Sequence, residues 1–308
     1  MRRLEFKPAF SEALRREAWP VVVTGATGWL GQAVLEMLES ALGDAFGARV
    51  TGFAGRHREI KLRSGRSVEM RALEEIDGLR LPPALVFHFA FLTREHAGLQ
   101  DYVAANRKIS ALMQAFLERS GARGLFLPSS GAARSGTLET NPYGALKRED
   151  EALFGALCAR LAIPAVRMRV FNLAGPFINK LDSYALACVI ADIARGGPIR
   201  LRAVHPVWRG YAHVQDVLNI ALGGLLNPQP RPVFDTAGER IEIGTLAARA
   251  SMLLAGRALE IVRPDWQSGA ADEYLGAPEM YRALAAALDV RLHALDAQIL
   301  DTASYMGR

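Results

Sequence analysis

Residues 21–34 read VVVTGATGWLGQAV, a short run of β-branched residues that breaks into glycines and then resumes with apolar residues at helical spacing. The strand, the turn and the helix follow one another without a spacer, which is the local order of a βα unit. Three glycines punctuate it at Gly25, Gly28 and Gly31. Gly25 suits the tight turn, Gly28 lets backbone amides approach a diphosphate, and Gly31 allows the helix to pack closely on the strand. The helix that opens there turns the positive end of its dipole towards the phosphates. A glycine triplet alone is a weak signal, but with a strand before it and an amphipathic helix after it the reading is a dinucleotide site rather than an incidental turn.

Working outward, the same alternation continues. PVVVTGA, ARVTGFA, SVEMRA, ALVFHFA, GLFLPSS and PAVRMRV are brief, strand-like and bounded by Gly or Pro, and segments such as LGQAVLEMLESAL and DYVAANRKISALMQAFLERSG lie between them. This predicts an α/β fold: a Rossmann-type, doubly wound parallel sheet covered by helices on both faces. After residue 175 the rhythm loosens, which predicts a smaller C-terminal lobe. The expected organisation is an N-terminal extension over 1–19, a dinucleotide-binding domain over 20–175 and a substrate-binding lobe over 176–308. A short amphipathic helix packing on the lobe is expected within the extension.

Bulk properties bound the function. The chain has 308 residues, 50% of them hydrophobic and 22% charged, enough for one large core or two smaller ones. The first twenty residues mix charges with apolar positions and resemble no signal peptide, and nowhere do eighteen apolar residues run together, so a cytoplasmic protein without a membrane partner is expected. Cys158 and Cys188 form no C-x-x-C and sit on apolar helical patterns, which predicts buried thiols; the histidines show no H-E-x-x-H spacing, so no metal is expected. The net charge of +5 comes from dispersed arginines. A phosphorylated small molecule fits that pattern better than nucleic acid.

An NAD site usually places a carboxylate about twenty residues beyond the glycines to hold the ribose. Here the second strand runs into VTGFAGRHRE, with no acid at its end and with Arg56, His57 and Arg58 directly after it. Guanidinium groups match a 2′-phosphate, so NADP is favoured over NAD.

The second stretch that carries chemistry is NPYGALKRED, residues 141–150. Pro142 suits a first helical turn and Asn141 caps it, so Tyr143 and Lys147 should lie one above the other near the helix start. A phenol is a poor base at neutral pH. A cation roughly 4 Å away at an effective dielectric near 20 contributes about 4 kcal/mol, enough to bring its pKa down by about three pH units. A hydroxyl to place the reacting oxygen is available in GLFLPSSGAARSG, where Ser129 and Ser130 should sit at the carboxyl edge of the sheet.

Taken together, TGATGWLG, HFA, SSG, YGALK, FNLAGP and RGYAHVQDV resemble, in order and approximate spacing, the extended short-chain dehydrogenases/reductases of the NAD(P)-dependent epimerase/dehydratase family, which act largely on nucleotide sugars. The resemblance runs from about residue 20 to about 240. It implies that Gly25, Gly28 and Gly31 form the diphosphate loop, with Trp29 and Leu30 adding helix-start amides. It also implies that Phe89 and Ala90 line the coenzyme path, that Ser130 is the catalytic serine with Ser129 as the alternative, and that Tyr143 is the acid/base. Lys147 then lowers the pKa of Tyr143 and holds the nicotinamide ribose. Phe171 becomes a cofactor neighbour, Asn172 meets the substrate diphosphate and Arg209 pairs with its phosphates. Segments around 205–237 should return to the dinucleotide-binding domain, and a homodimer is expected.

Departures narrow the chemistry. Dehydratases of the family follow the serine or threonine with an Asp-Glu pair, whereas Ser130 is followed by GAARSG. That leaves an epimerase or a ketoreductase of a nucleotide sugar, with an NADPH-dependent reductase of a small non-nucleotide carbonyl compound or a non-catalytic dinucleotide-binding regulator as alternatives. Arg134 and Ser135 stand where a Tyr-Gly pair is usual, and Gly210 where many members carry Asp.

Overall fold

The structure is a computed structural model that describes residues 2–93, 98–267 and 269–307. In chain order its first elements are α1 (Pro8–Glu17), β1 (Val21–Thr24), α2 (Trp29–Leu42), α3 (Phe46–Arg49), β2 (Val50–Ala54), β3 (Arg58–Lys61), β4 (Ser67–Ala72) and β5 (Ala84–His88). Next come α4 (Leu99–Ser120), β6 (Ala122–Ser130), α5 (Pro142–Arg160), β7 (Ala165–Val170), β8 (Asn172–Ala174), α6 (Ala185–Ala194), β9 (Ile199–Arg200), β10 (Val207–Arg209), β11 (Tyr211–His213) and α7 (Val214–Leu226). The chain closes with β12 (Phe234–Asp235), β13 (Ile241–Glu242), α8 (Ile243–Ala255), β14 (Ile261–Val262), β15 (Asp272–Tyr274), α9 (Glu279–Ala287) and α10 (Leu295–Tyr305).

Two compact units result. The first comprises Arg3–Val170 and Leu218–Phe234, and the second comprises Phe171–Val217 and the chain from Asp235 onward. Against an expected division at residue 175, the first unit runs to Val170 and takes back Leu218–Phe234, so one division falls inside α7.

An eight-stranded sheet in the order β12-β7-β6-β5-β1-β2-β4-β3 builds the first unit. From β7 to β4 every pairing is parallel, and β3 runs antiparallel to β4. The chain leaves β1 towards β2 and β4, then returns to β5 on the other side of β1. That reversal opens a crevice outside the carboxyl ends of β1 and β5, where open α/β sheets bind ligands. On one face, Met113, Phe116 and Leu117 of α4 and Phe154, Leu157 and Cys158 of α5 cover Val22, Val86, Leu125 and Leu127. Val34, Leu35, Met37 and Leu38 of α2 are fully buried as well, each such side chain contributing about 1.5–3 kcal/mol. Helix α1 packs on α2 of this unit. Phe10 and Leu14 are its buried side chains, and just ahead of it Glu36 of α2, wholly buried, accepts the Leu4 amide and the Arg63 guanidinium and forms an ion pair with Arg3 at 3.7 Å.

In the second unit, α6, α8 and α10 bring Leu186, Ile190, Leu246, Ala250, Leu295 and Ile299 together. Short strands flank them: β11 pairs with β8, β14 with β9, and β10 lies between β13 and β15. Cys158 is buried, and burial raises its thiol to about 11, whereas Cys188 is only half-buried against the expectation. Its thiol donates to the Leu181 carbonyl.

Candidate active site

The carboxyl ends of β1, β5 and β6 gather most of the first unit's predicted residues. Gly25 turns at a φ of +64°, and a Cβ there would fall 2.5 Å from the Phe89 carbonyl carbon and 2.6 Å from the Ala90 nitrogen. Only glycine meets both demands. Gly31 is equally constrained: its Cβ would come within 2.4 Å of the Gly25 oxygen and 2.7 Å of Ala26. Gly28 is different, since a Cβ there would meet only the Gly25 oxygen, at 3.3 Å. It is the residue preceding α2, and Trp29 and Leu30 form the first turn of that helix. The loop is tied down by the Ala26 amide on Phe53 O (2.9 Å) and by Gln32 Nε2 on Thr27 O (3.0 Å).

Past β5, Phe89 and Ala90 donate their amides to Thr24 O (3.0 Å) and Thr24 Oγ1 (3.3 Å). Thr24 Oγ1 also shares a hydrogen bond with His88 Nδ1, at 2.7 Å. Burial, with a contribution from the Lys147 charge, lowers the His88 pKa to about 3, so the ring is neutral.

Asn141 Oδ1 accepts the Gly144 amide at 3.0 Å and caps α5, with Pro142 in the first turn. Tyr143 lies there, its ring edge-on to Phe91 at 5.5 Å. One turn on, Lys147 is buried; its ammonium donates to Pro128 O (3.3 Å) and sits 3.9 Å from the centre of the same Phe91 ring. Phe91 was not singled out in the sequence, although it stands one residue beyond Ala90 in HFAFLT. It is the surface on which the two α5 side chains meet. Burial lowers the Lys147 pKa from 10.5 to about 8, and Asp150 and Glu151 oppose that fall. Glu151 is already matched by Arg169, at 2.8 and 2.7 Å. Asp150 is buried with Ser110 as its hydrogen-bond donor at 2.6 Å, so its charge is the uncompensated one beside Lys147.

The two serines close β6. Ser130 Oγ accepts the Ala132 amide at 3.2 Å and starts a 3₁₀ turn over Gly131–Arg134. The Ser129 hydroxyl is buried with no hydrogen-bond partner among the described residues. Arg56, His57 and Arg58 are exposed beyond β2, with His57 Nε2 2.5 Å from Glu69 Oε1. Arg58 opens β3, a strand the sequence did not suggest.

Phe171, Asn172 and Arg209 belong to the second unit. The Phe171 ring lies against that of Tyr274 at 4.7 Å, tilted by 46°, and its amide donates to Thr236 Oγ1 (3.1 Å). Asn172 Nδ2 donates to Gly210 O (3.3 Å) and Tyr274 O (3.4 Å). Asp216, in the first turn of α7, holds His293 through both carboxylate oxygens, at 2.6 Å to Nδ1 and 2.8 Å to the amide. Nearby, His213, His293 and Asp301 bring ligand-type atoms within 4.8 Å of one another. The Gln215 amide donates to His213 Nδ1 (3.2 Å), and His213 Nε2 lies 3.3 Å from Asp301 Oδ2.

Residues 21–244 match the model of the NAD dependent epimerase/dehydratase family. The chain belongs to that family. Comparison with curated proteins gives no significant match. Among solved structures, UDP-N-acetylglucosamine 4-epimerase from Methanobrevibacter ruminantium M1, in complex with UDP-N-acetylmuramic acid, superposes with a TM-score of 0.67 at 19% identity, over 94% of this chain and 98% of that one. UDP-glucose 4-epimerase from Brucella ovis in complex with NAD gives 0.71 at 16%, over 94% and 98%. UDP-glucuronic acid 4-epimerase from Bacillus cereus in complex with NAD gives 0.67 at 15%, over 93% and 96%. At these identities the likeness establishes the fold. No helix among the described residues is long and apolar enough to cross a membrane.

Proposed function

We propose that the protein is an NAD(P)-dependent epimerase of a nucleotide sugar, using Tyr143, Lys147 and Ser130. The observation that carries the reading is the placement of Tyr143 and the buried Lys147 ammonium on one Phe91 ring, at the carboxyl edge of a sheet whose first loop is a glycine cradle. The cradle fits a dinucleotide. Packing inside the chain forbids a Cβ at Gly25 and Gly31 and crowds one at Gly28 only against the Gly25 oxygen, at 3.3 Å, and a bare Gly28 leaves room for a diphosphate against the α2 amides. Gly25, Gly28, Trp29, Leu30 and Gly31 would hold the diphosphate, Phe89 and Ala90 the rest of the coenzyme, and Lys147 its ribose.

When bound, a nicotinamide dinucleotide supplies reversible hydride acceptance at a carbinol carbon. The side chains do the proton chemistry. Tyr143 takes the proton of the sugar hydroxyl and returns it, and the Lys147 charge favours its phenolate form. Ser130, or the unpartnered hydroxyl of Ser129, donates a hydrogen bond to the reacting oxygen. His88 stays neutral and leaves Lys147 as the local cation. Asn172 and Arg209 are proposed for the substrate diphosphate. UDP-sugars are the first substrates to test, because the solved neighbours are UDP-sugar 4-epimerases.

Exposed Arg56 and Arg58, with no carboxylate at the end of β2, favour NADP over NAD and support a second reading in which a keto-sugar is reduced and NADPH is consumed. A homodimer is proposed through the groove between α4 and α5, a cavity of about 310 Å³ lined by residues such as Phe91, Ala111, Leu146 and Leu153. Purified protein incubated with a panel of UDP-sugars and 4-keto derivatives, with products followed by NMR and NADPH by absorbance, tests both readings. Interconversion of unoxidised sugars without net coenzyme change is expected; consumption of NADPH without interconversion overturns the epimerase reading in favour of the reductase.

A further inference from the structure

Arg209 leaves β10 opposite Tyr274 of β15. Its Nη1 donates to Trp208 O (2.9 Å) and Asp272 O (3.1 Å), and its Nη2 donates to Asp272 Oδ2 (2.6 Å). A guanidinium has five N–H groups in one plane. Both hydrogens of Nη1 and one of Nη2 are thereby engaged, Asp272 meeting the edge shared by Nη1 and Nη2 with its carbonyl and its carboxylate, so the edge formed by Nε and the second hydrogen of Nη2 remains for an oxyanion. The two edges are geometrically alike, and either can grip two oxygens at once.

The ion pair is not explained by stability. Asp272 is 46% exposed and Arg209 20%, and pairs so open to water contribute little to folding. Nor is it an accident of a mobile loop, since Val207 pairs with Asp272 and Arg209 with Tyr274 in a parallel register. The backbone carbonyl and the carboxylate of one residue therefore grip the guanidinium from a fixed strand. Neighbouring charges are otherwise engaged: Arg240 pairs with Glu273 at 2.6 Å and lies over the Trp208 ring.

We propose that Asp272 is a positioning residue that locks the Nη edge of Arg209 so that its Nε edge is presented, already oriented, to a phosphate of a nucleoside diphosphate. This rests on the reading that Arg209 meets the substrate's phosphates. A free arginine gives up rotamer freedom on meeting a phosphate, whereas one already tied has little to lose. The carboxylate also repels the phosphate, so charge and orientation act in opposite directions, and two substitutions separate them. Asp272→Asn keeps an acceptor without the charge, and Asp272→Ala removes both.

The experiment is calorimetric titration of UDP into the full-length wild type and the Arg209→Ala, Asp272→Ala and Asp272→Asn variants, each checked for an unchanged thermal melt. KM and kcat on an active UDP-sugar are measured alongside. Asp272→Ala is expected to weaken UDP binding about tenfold and to raise KM with kcat nearly kept, and Asp272→Asn to restore affinity to within about twofold of the wild type or better. If Arg209→Ala weakens UDP but Asp272→Ala binds it as tightly as the wild type or tighter, the positioning role is overturned while the diphosphate reading stands. If UDP binding is indifferent to Arg209→Ala, that reading fails and the inference with it.

Discussion

Replacing Lys147 with methionine should abolish turnover and at the same time stabilise the first unit at neutral pH. Burial brings the ammonium from 10.5 to about 8, which at 1.36 kcal/mol per pH unit means that holding the charge inside costs about 3 kcal/mol. Methionine removes that cost and keeps a favourable contact with the Phe91 ring. It also deprives Pro128 O of its donor, a loss of about 1–2 kcal/mol. The net expectation is a gain of about 1–2 kcal/mol. The sign with pH follows from the direction of the shift. Below about pH 8 the lysine is charged in both states and the cost is fully present; between 8 and 10.5 the folded lysine is neutral while the unfolded one still holds its proton, so wild-type stability rises. Urea unfolding of both proteins at pH 7 and pH 10, followed by circular dichroism, measures this. The advantage of the variant should shrink across that interval. A variant clearly less stable than the wild type at pH 7, or a difference that does not change with pH, would refute the account of a desolvated ammonium.

Three further outcomes are expected. Asp150→Asn removes the anion that holds the Lys147 pKa up, so the alkaline limb of the pH–rate profile should move to lower pH, and a profile identical to the wild type's would contradict the electrostatic coupling. Gly31→Ala places a Cβ 2.4 Å from the Gly25 oxygen and should cost about 1–3 kcal/mol in denaturant unfolding, together with coenzyme affinity. Substituting Arg56 and Arg58 by serine should weaken NADPH binding about tenfold and NADH binding less than twofold in a fluorescence titration; equal losses would mean that neither guanidinium reads the 2′-phosphate.

Most of the central sheet could be read along the chain because its strands are buried on both faces and appear as unbroken apolar runs, from VVVT at β1 to ALVFH at β5. REIK at β3 has no such run, since three of its four residues are exposed on the sheet's edge, and its pairing with β4 comes from backbone hydrogen bonds that side-chain hydropathy does not report. The α5 start was legible for a local reason, because a cap and its acceptor lie three residues apart at Asn141 and Gly144. Phe91 was not, as its role depends on an aromatic side chain from β5's exit meeting two side chains from α5 about fifty residues later in the chain. The division inside α7 is equally hidden, since helical periodicity runs through Val217 and Leu218 without interruption.

By itself, the order of residues determined what is decided within a few positions: the glycine turn ahead of α2, the capped helix carrying Tyr143 and Lys147 one turn apart, and the missing carboxylate after β2. Tertiary structure decided how those groups behave. Lys147 is a marginal cation because strands and helices distant in sequence exclude water around it, and Arg209 has an oriented edge because Asp272, 63 residues on, reaches it across a strand pair. Desolvation and long-range pairing are properties of the folded volume, and no short window of sequence contains them.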